Sequence, residues 1–145
     1  SHRREDTFIA GFSMGGYGAI RNGLKYWDNF SKIGMISAAL ITDDIVNYTD
    51  DDNVLRSKDF YESIFGDLNK IKSSDKNPKH LIDNCRDIPD IYMACGVDDF
   101  LYGKNVDFHE FLKSREIDAT FVEAEGEHTW EFCDKYLKEF IKTLL

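Results

Sequence analysis

The five residues Gly11-Phe12-Ser13-Met14-Gly15 constrain this chain more than any other stretch. The pattern is GxSxG. It follows the apolar run Phe8-Ile9-Ala10-Gly11, which reads as a buried strand. It precedes residues 14–27, where Tyr17, Ile20 and Leu24 have helical spacing. A serine on a sharp strand-to-helix turn projects its Oγ above the sheet, and its neighbours must be small for strand and helix to approach. Gly11, Gly15, Gly16 and Gly18 are expected to meet that need. Such a turn strains the serine backbone. It also places a helix N-terminus beneath the serine, where the Met14 N–H is a candidate donor to an oxyanion. Ser13 is the candidate nucleophile.

The rest of the chain alternates strand and helix. Ile33 to Ser37 predicts a second strand, Ile91 to Cys95 closed by Gly96 a third, and Thr120 to Glu123 a fourth. A final helix is expected over about residues 130–144, with Trp130, Cys133, Leu137, Phe140, Ile141 and Leu144 on one face. This alternation implies crossover connections and an α/β fold with a mostly parallel sheet and flanking helices. Such sheets bury both faces, which accounts for short, continuously apolar strands. The 145 residues suffice for one compact domain.

Residues 42–87 break the pattern and read as a helical insertion over the strand ends. One short helix uses Phe60, Tyr61, Ile64 and Phe65, with Ser57 as N-cap and Gly66 as stop. Another starts at Asn77-Pro78 and carries Leu81 and Ile82. The acidic run of Asp43, Asp44, Asp50, Asp51 and Asp52 reads as a solvated loop. It lacks the alternating ligands and glycine of a calcium loop, so no metal is expected.

Two further segments complete a chemical constellation. Ala94-Cys95-Gly96-Val97-Asp98-Asp99 ends the third strand, and Gly126-Glu127-His128-Thr129-Trp130 follows the fourth. Parallel strands present such groups on one rim, at their C-terminal ends. The chain order Ser, Asp, His is one in which a serine nucleophile, its base and an orienting acid recur. His128 is the candidate base. His2 opens the chain, and His80 and His109 lie within helical patterns. Spacing from Gly96 makes Asp99 the choice for the acid, with Asp98 as the alternative. Trp130 is a candidate wall of a substrate pocket, with core packing as its other reading.

Composition narrows the partners. With 27 acidic against 18 basic residues the net charge is −9, which repels phosphate backbones and anionic lipid heads. Neither nucleic acid nor a membrane surface is expected as a partner. No apolar run approaches a membrane span, and no signal peptide is visible. The three cysteines, Cys85, Cys95 and Cys133, form no CxxC pair, so a reducing, cytoplasmic setting is expected. Cys95 reads as a small buried hydrophobe.

The chain resembles the esterase family of α/β-hydrolases that includes S-formylglutathione hydrolase (esterase D), tributyrin esterases and feruloyl or acetyl esterases. The resemblance runs through essentially the whole chain. It rests on residues 9–19 (IAGFSMGGYGA), on Cys95-Gly96-Val97-Asp98-Asp99-Phe100-Leu101-Tyr102, and on Gly126-Glu127-His128-Thr129-Trp130-Glu131-Phe132. It implies a triad of Ser13, Asp99 and His128 and hydrolysis of short-chain acyl, acetyl or feruloyl esters without a cofactor. The nearest likeness is to tributyrin-type and carbohydrate-linked esterases.

One departure is large. The family places several strands and an oxyanion loop before the nucleophile strand, whereas the serine here is residue 13. The expectation is the C-terminal part of the domain, with the first strand as a bare sheet edge. A missing segment, a second chain or a homo-oligomer then completes the sheet. Because that missing part normally supplies the second oxyanion donor, a non-catalytic fragment or binding module is an alternative. An acyltransferase is another, since the same triad serves water or an alcohol as acceptor.

Overall fold

A computed structural model describes residues 3–48 and 56–145. The described residues form four parallel strands in the order β1-β2-β3-β4. They are β1 (Phe8–Phe12), β2 (Lys32–Ile36), β3 (Asp90–Gly96) and β4 (Ala119–Ala124). The helices are α1 (Met14–Lys25), α2 (Thr42–Val46), α3 (Lys58–Phe65), α4 (Pro78–Asn84), α5 (Tyr102–Ser114) and α6 (Trp130–Lys142). No described helix is long and apolar enough to cross a membrane.

Strand alternation sorts the core onto two faces. Ile33 and Met35 of β2 and Ile91 and Met93 of β3 face a cluster with Ile20 and Leu24 of α1, Ile82 of α4, and Phe108 and Leu112 of α5. Ile36, Tyr92 and Ala94 point the other way, onto Phe132, Cys133, Tyr136 and Phe140 of α6. The sheet is thus covered on both sides, as its apolar strands imply. Close approach of α6 needs Gly34, where a Cβ would lie 2.9 Å from the Phe140 ring.

Three sequence expectations change. The first helix ends at Lys25, and Trp27–Asn29 forms a separate 3₁₀ turn. The buried face of α6 is Phe132, Cys133, Tyr136 and Phe140, whereas Trp130 and Ile141 are exposed. Cys133, Leu137, Phe140 and Leu144 lie on the expected face, but Phe132 and Tyr136, not Trp130 and Ile141, complete it against β2 and β3. Finally, Gly15 and Gly18 have open space where a Cβ would sit. Only Gly11 and Gly16 meet the need for small residues at the turn. A Cβ on Gly11 would lie 2.0 Å from the Gly15 carbonyl oxygen, and one on Gly16 would lie 2.8 Å from the Ala38 Cβ.

The 42–87 segment contains two kinds of structure. Its α4 packs against α1 as part of the main core, starting at Asn77, whose side chain accepts from the Lys79 N–H. Ile45, Tyr61, Leu68 and Ile71 form a separate small core. Ser57 caps α3 by accepting from the Phe60 N–H, and Gly66 ends it at φ 74°. The Tyr17 hydroxyl donates to the Lys76 carbonyl, and Arg21 and Lys25 pair with Asp75, fastening this segment to α1. Asp43 and Asp44, expected in a solvated loop, instead lie in the first turn of α2 and pair with Lys79 and Lys104. Asp50, Asp51 and Asp52 lie outside the described residues, as does His2.

Candidate active site

The register aligns the C-terminal ends of all four strands. Phe12 pairs with Ile36, Ile36 with Ala94, and Gly96 with Ala124. Residues that follow these strands therefore meet on one rim although they are more than a hundred positions apart.

Ser13 occupies the turn from β1 into α1 at φ 57°, in the left-handed region that non-glycine residues rarely adopt. Backbone bonds hold it there. Its N–H donates to the Ile36 carbonyl (3.0 Å), and its carbonyl accepts from the Ala39 N–H (2.9 Å). Met14 is the first residue of α1, so its N–H belongs to the helix's first turn of unpaired donors. Its side chain is exposed.

His128 lies in the loop between β4 and α6. Its Nε2 is 2.9 Å from Ser13 Oγ, and its Nδ1 is 2.8 Å from Asp99 Oδ2. An ionised carboxylate only accepts, so Nδ1 donates to Asp99, and in the neutral imidazole Nε2 then accepts from the serine hydroxyl. The Asp99 side chain is fully buried, and its Oδ1 accepts from the Leu101 N–H at 2.8 Å. Asp98 is exposed, and its backbone N–H donates to the Gly126 carbonyl. Its side chain is thus turned to solvent while the next residue turns inward. That loop–loop contact is tight: a Cβ on Gly96 would lie 2.1 Å from the Gly126 carbonyl oxygen.

Two aromatic rings enclose the imidazole. Phe12 stacks on His128 with centroids 4.8 Å apart, and Phe100 tilts against it at 4.9 Å. Trp130 is 75% exposed and touches Phe12, at 5.0 Å between centroids. It is not a core residue. Sequence reasoning assigned no role to Phe12 or Phe100, although both lie within the motifs it used. The x of GxSxG next to the serine was a usable signal, because it ends a strand on the same rim.

A hydroxyl, a neutral imidazole and a buried carboxylate in line can pass the hydroxyl proton to Nε2 and stabilise the resulting imidazolium. Cys95 does not compete. It is fully buried, and burial, reinforced by the Asp99 carboxylate, pushes its thiol up to about 12. A thiol so protonated is inert. An aromatic disulfide reagent at pH 8 is expected to leave Cys95 unmodified in the folded protein and to modify it in denaturant. Peptide mapping after alkylation reads this directly; native modification of Cys95 at the rate of a free thiol contradicts its burial.

The parallel sheet covered on both faces, with its strand-end site, defines an α/β-hydrolase. Residues 1–144 match the family model described as "Putative esterase", and the chain belongs to this esterase family. It is 48% identical over 140 residues to an acetyl esterase of Caldicellulosiruptor saccharolyticus, covering 93% of this chain and 53% of that protein. Among solved structures it is similar to the S-formylglutathione hydrolase of Staphylococcus aureus, at 33% identity and TM-score 0.82 over 99% of this chain and 56% of that one. A fluorophosphonate-binding serine hydrolase F of the same organism matches at 33% identity and TM-score 0.84, with the same coverage of 99% and 56%. The chain thus spans about half the length of these relatives.

Proposed function

We propose that this chain carries the catalytic rim of a carboxylesterase that works through an acyl-enzyme on Ser13, with acetyl and other short acyl esters as substrates. The observation that supports this most is the unbroken line from Ser13 Oγ through His128 to the buried Asp99, at 2.9 and 2.8 Å. In this reading Ser13 Oγ attacks the ester carbonyl as His128 Nε2 takes its proton. Asp99 keeps the imidazole in the required tautomer and stabilises its charged form. The Met14 N–H donates to the oxyanion of the tetrahedral intermediate. His128 then protonates the departing alcohol, and water, activated by the same imidazole, releases the acid and restores Ser13.

The acetyl preference is supported by the acetyl esterase relative, the closeness of 48% identity being the reason to weigh it. Exposed Phe100 against the imidazole, Trp130 against Phe12 and Met14 next to Ser13 supply an apolar rim for the acyl or alcohol group. Trp130 is proposed as its outer wall.

A fluorophosphonate probe tests the reading. Mass spectrometry is expected to find the phosphonyl adduct on Ser13, with labelling slowed by a competing acetyl ester. An adduct on another serine, or none in the folded protein, would overturn it.

A further inference from the structure

A fully buried asparagine stands in the apolar stripe of α5. Its neighbours at helical spacing are Leu101, Phe108 and Leu112, all core residues. An amide is out of place there unless it is needed. Asn105 Nδ2 donates to the Leu101 carbonyl at 3.0 Å and to the Ala38 carbonyl at 3.0 Å. Both partners are acceptors, which sets the amide orientation. Oδ1 has no hydrogen-bond partner among the described residues. The side chain is therefore used for its two N–H donors alone, and its unpaired oxygen makes it a poor choice for packing.

The two carbonyls belong to the two halves of the site. The Leu101 N–H donates to Asp99 Oδ1, so Leu101 seats the carboxylate. Ala38 precedes Ala39, whose N–H holds the Ser13 carbonyl at 2.9 Å. We infer that Asn105 is a positioning residue: its amide ties the turn that seats Asp99 to the loop that holds Ser13. It thereby keeps His128 bonded at both ends. The effect on reactivity rests on the reading of Ser13 given above. The tie between the loops does not.

Asn105→Leu and Asn105→Ser test it. Leucine removes both donors together with the unpaired oxygen. Serine can still bond the carbonyl four residues back but does not reach Ala38, so it cuts the bridge alone. Two readouts are taken below the melting transition: fluorophosphonate kinetics, split into affinity and the maximal labelling rate, and the low-field proton resonance of the His128–Asp99 bond. In both variants the maximal rate is expected to fall on the order of 10–100-fold with affinity unchanged, the scale of a small misplacement of reacting groups. The resonance is expected to broaden or vanish, while Ser13→Ala retains it. An unchanged resonance in a folded variant overturns the inference. A wild-type chain that takes no probe overturns the hydrolase reading instead, because the resonance still reports on the tie. If Asn105→Leu does not fold, Asn105→Ser carries the test with the same two outcomes.

Discussion

Ser13→Ala is expected to lower kcat for acetyl ester hydrolysis by about 10⁴–10⁶-fold and to leave the fold intact. The loss is large because the proposed covalent route through an acyl-enzyme disappears with the Oγ atom. The fold survives for local reasons. Ser13 precedes α1 but makes no side-chain capping bond, so no cap is lost. Its left-handed backbone is equally strained for alanine, and its N–H and carbonyl keep their bonds to Ile36 and Ala39. The one side-chain bond removed, to His128 Nε2, is part-buried and worth about 1 kcal/mol. Steady-state kinetics beside a urea melt read both halves. Ser37→Ala is the control, since Ser37 also has a positive φ and is buried, but it lies outside the line Ser13–His128–Asp99. Wild-type turnover in a folded Ser13→Ala protein refutes the proposed mechanism.

Gly11→Ala is expected to destabilise the protein by about 3 kcal/mol or more and to abolish probe labelling with it. The added Cβ would lie 2.0 Å from the Gly15 carbonyl oxygen and 2.2 Å from its carbon. These are backbone atoms in the first turn of α1, so no rotamer change relieves the clash. The helix must lift from β1, and Ser13, between them, moves with it. Gly18→Ala gives the contrast. A Cβ there meets nothing within 4 Å, and Gly18 lies inside α1, so alanine is expected to stabilise by about 0.5–1 kcal/mol through helix propensity. Urea denaturation of the two variants separates them by sign. Equal and small effects from both would mean that β1 and α1 do not pack this closely.

Much of this was legible in the chain. The four strands were predicted to within one residue of each end, because a parallel sheet buried on both faces demands short apolar runs, and each run here is punctuated by glycine or polar residues. The Ser57 cap and the helix start at Asn77-Pro78 were legible for a similar reason, since capping side chains and a first-position proline act within three residues of their own position. What was misread depended on neighbours distant in sequence. The face of α6 is completed by the β2 and β3 surface it meets, so the amphipathic pattern gives Cys133, Leu137, Phe140 and Leu144 but puts Trp130 and Ile141 on that face in place of Phe132 and Tyr136. Which glycines of the elbow are indispensable was hidden as well, because Gly15 and Gly18 look like Gly11 and Gly16 in sequence and differ only in what stands opposite their missing Cβ.

The sequence by itself determined the class of fold and the three candidate segments that meet on one rim, Ser13, Asp98-Asp99 and His128, because strand-end motifs are local and their order along the chain is readable. Tertiary structure alone decided the rest. It set Phe12 and Phe100 on the imidazole and brought the Asn105 amide between two loops more than sixty residues apart. The physical reason is register: parallel pairing of β1 with β2, β2 with β3 and β3 with β4 fixes which residues leave the sheet side by side.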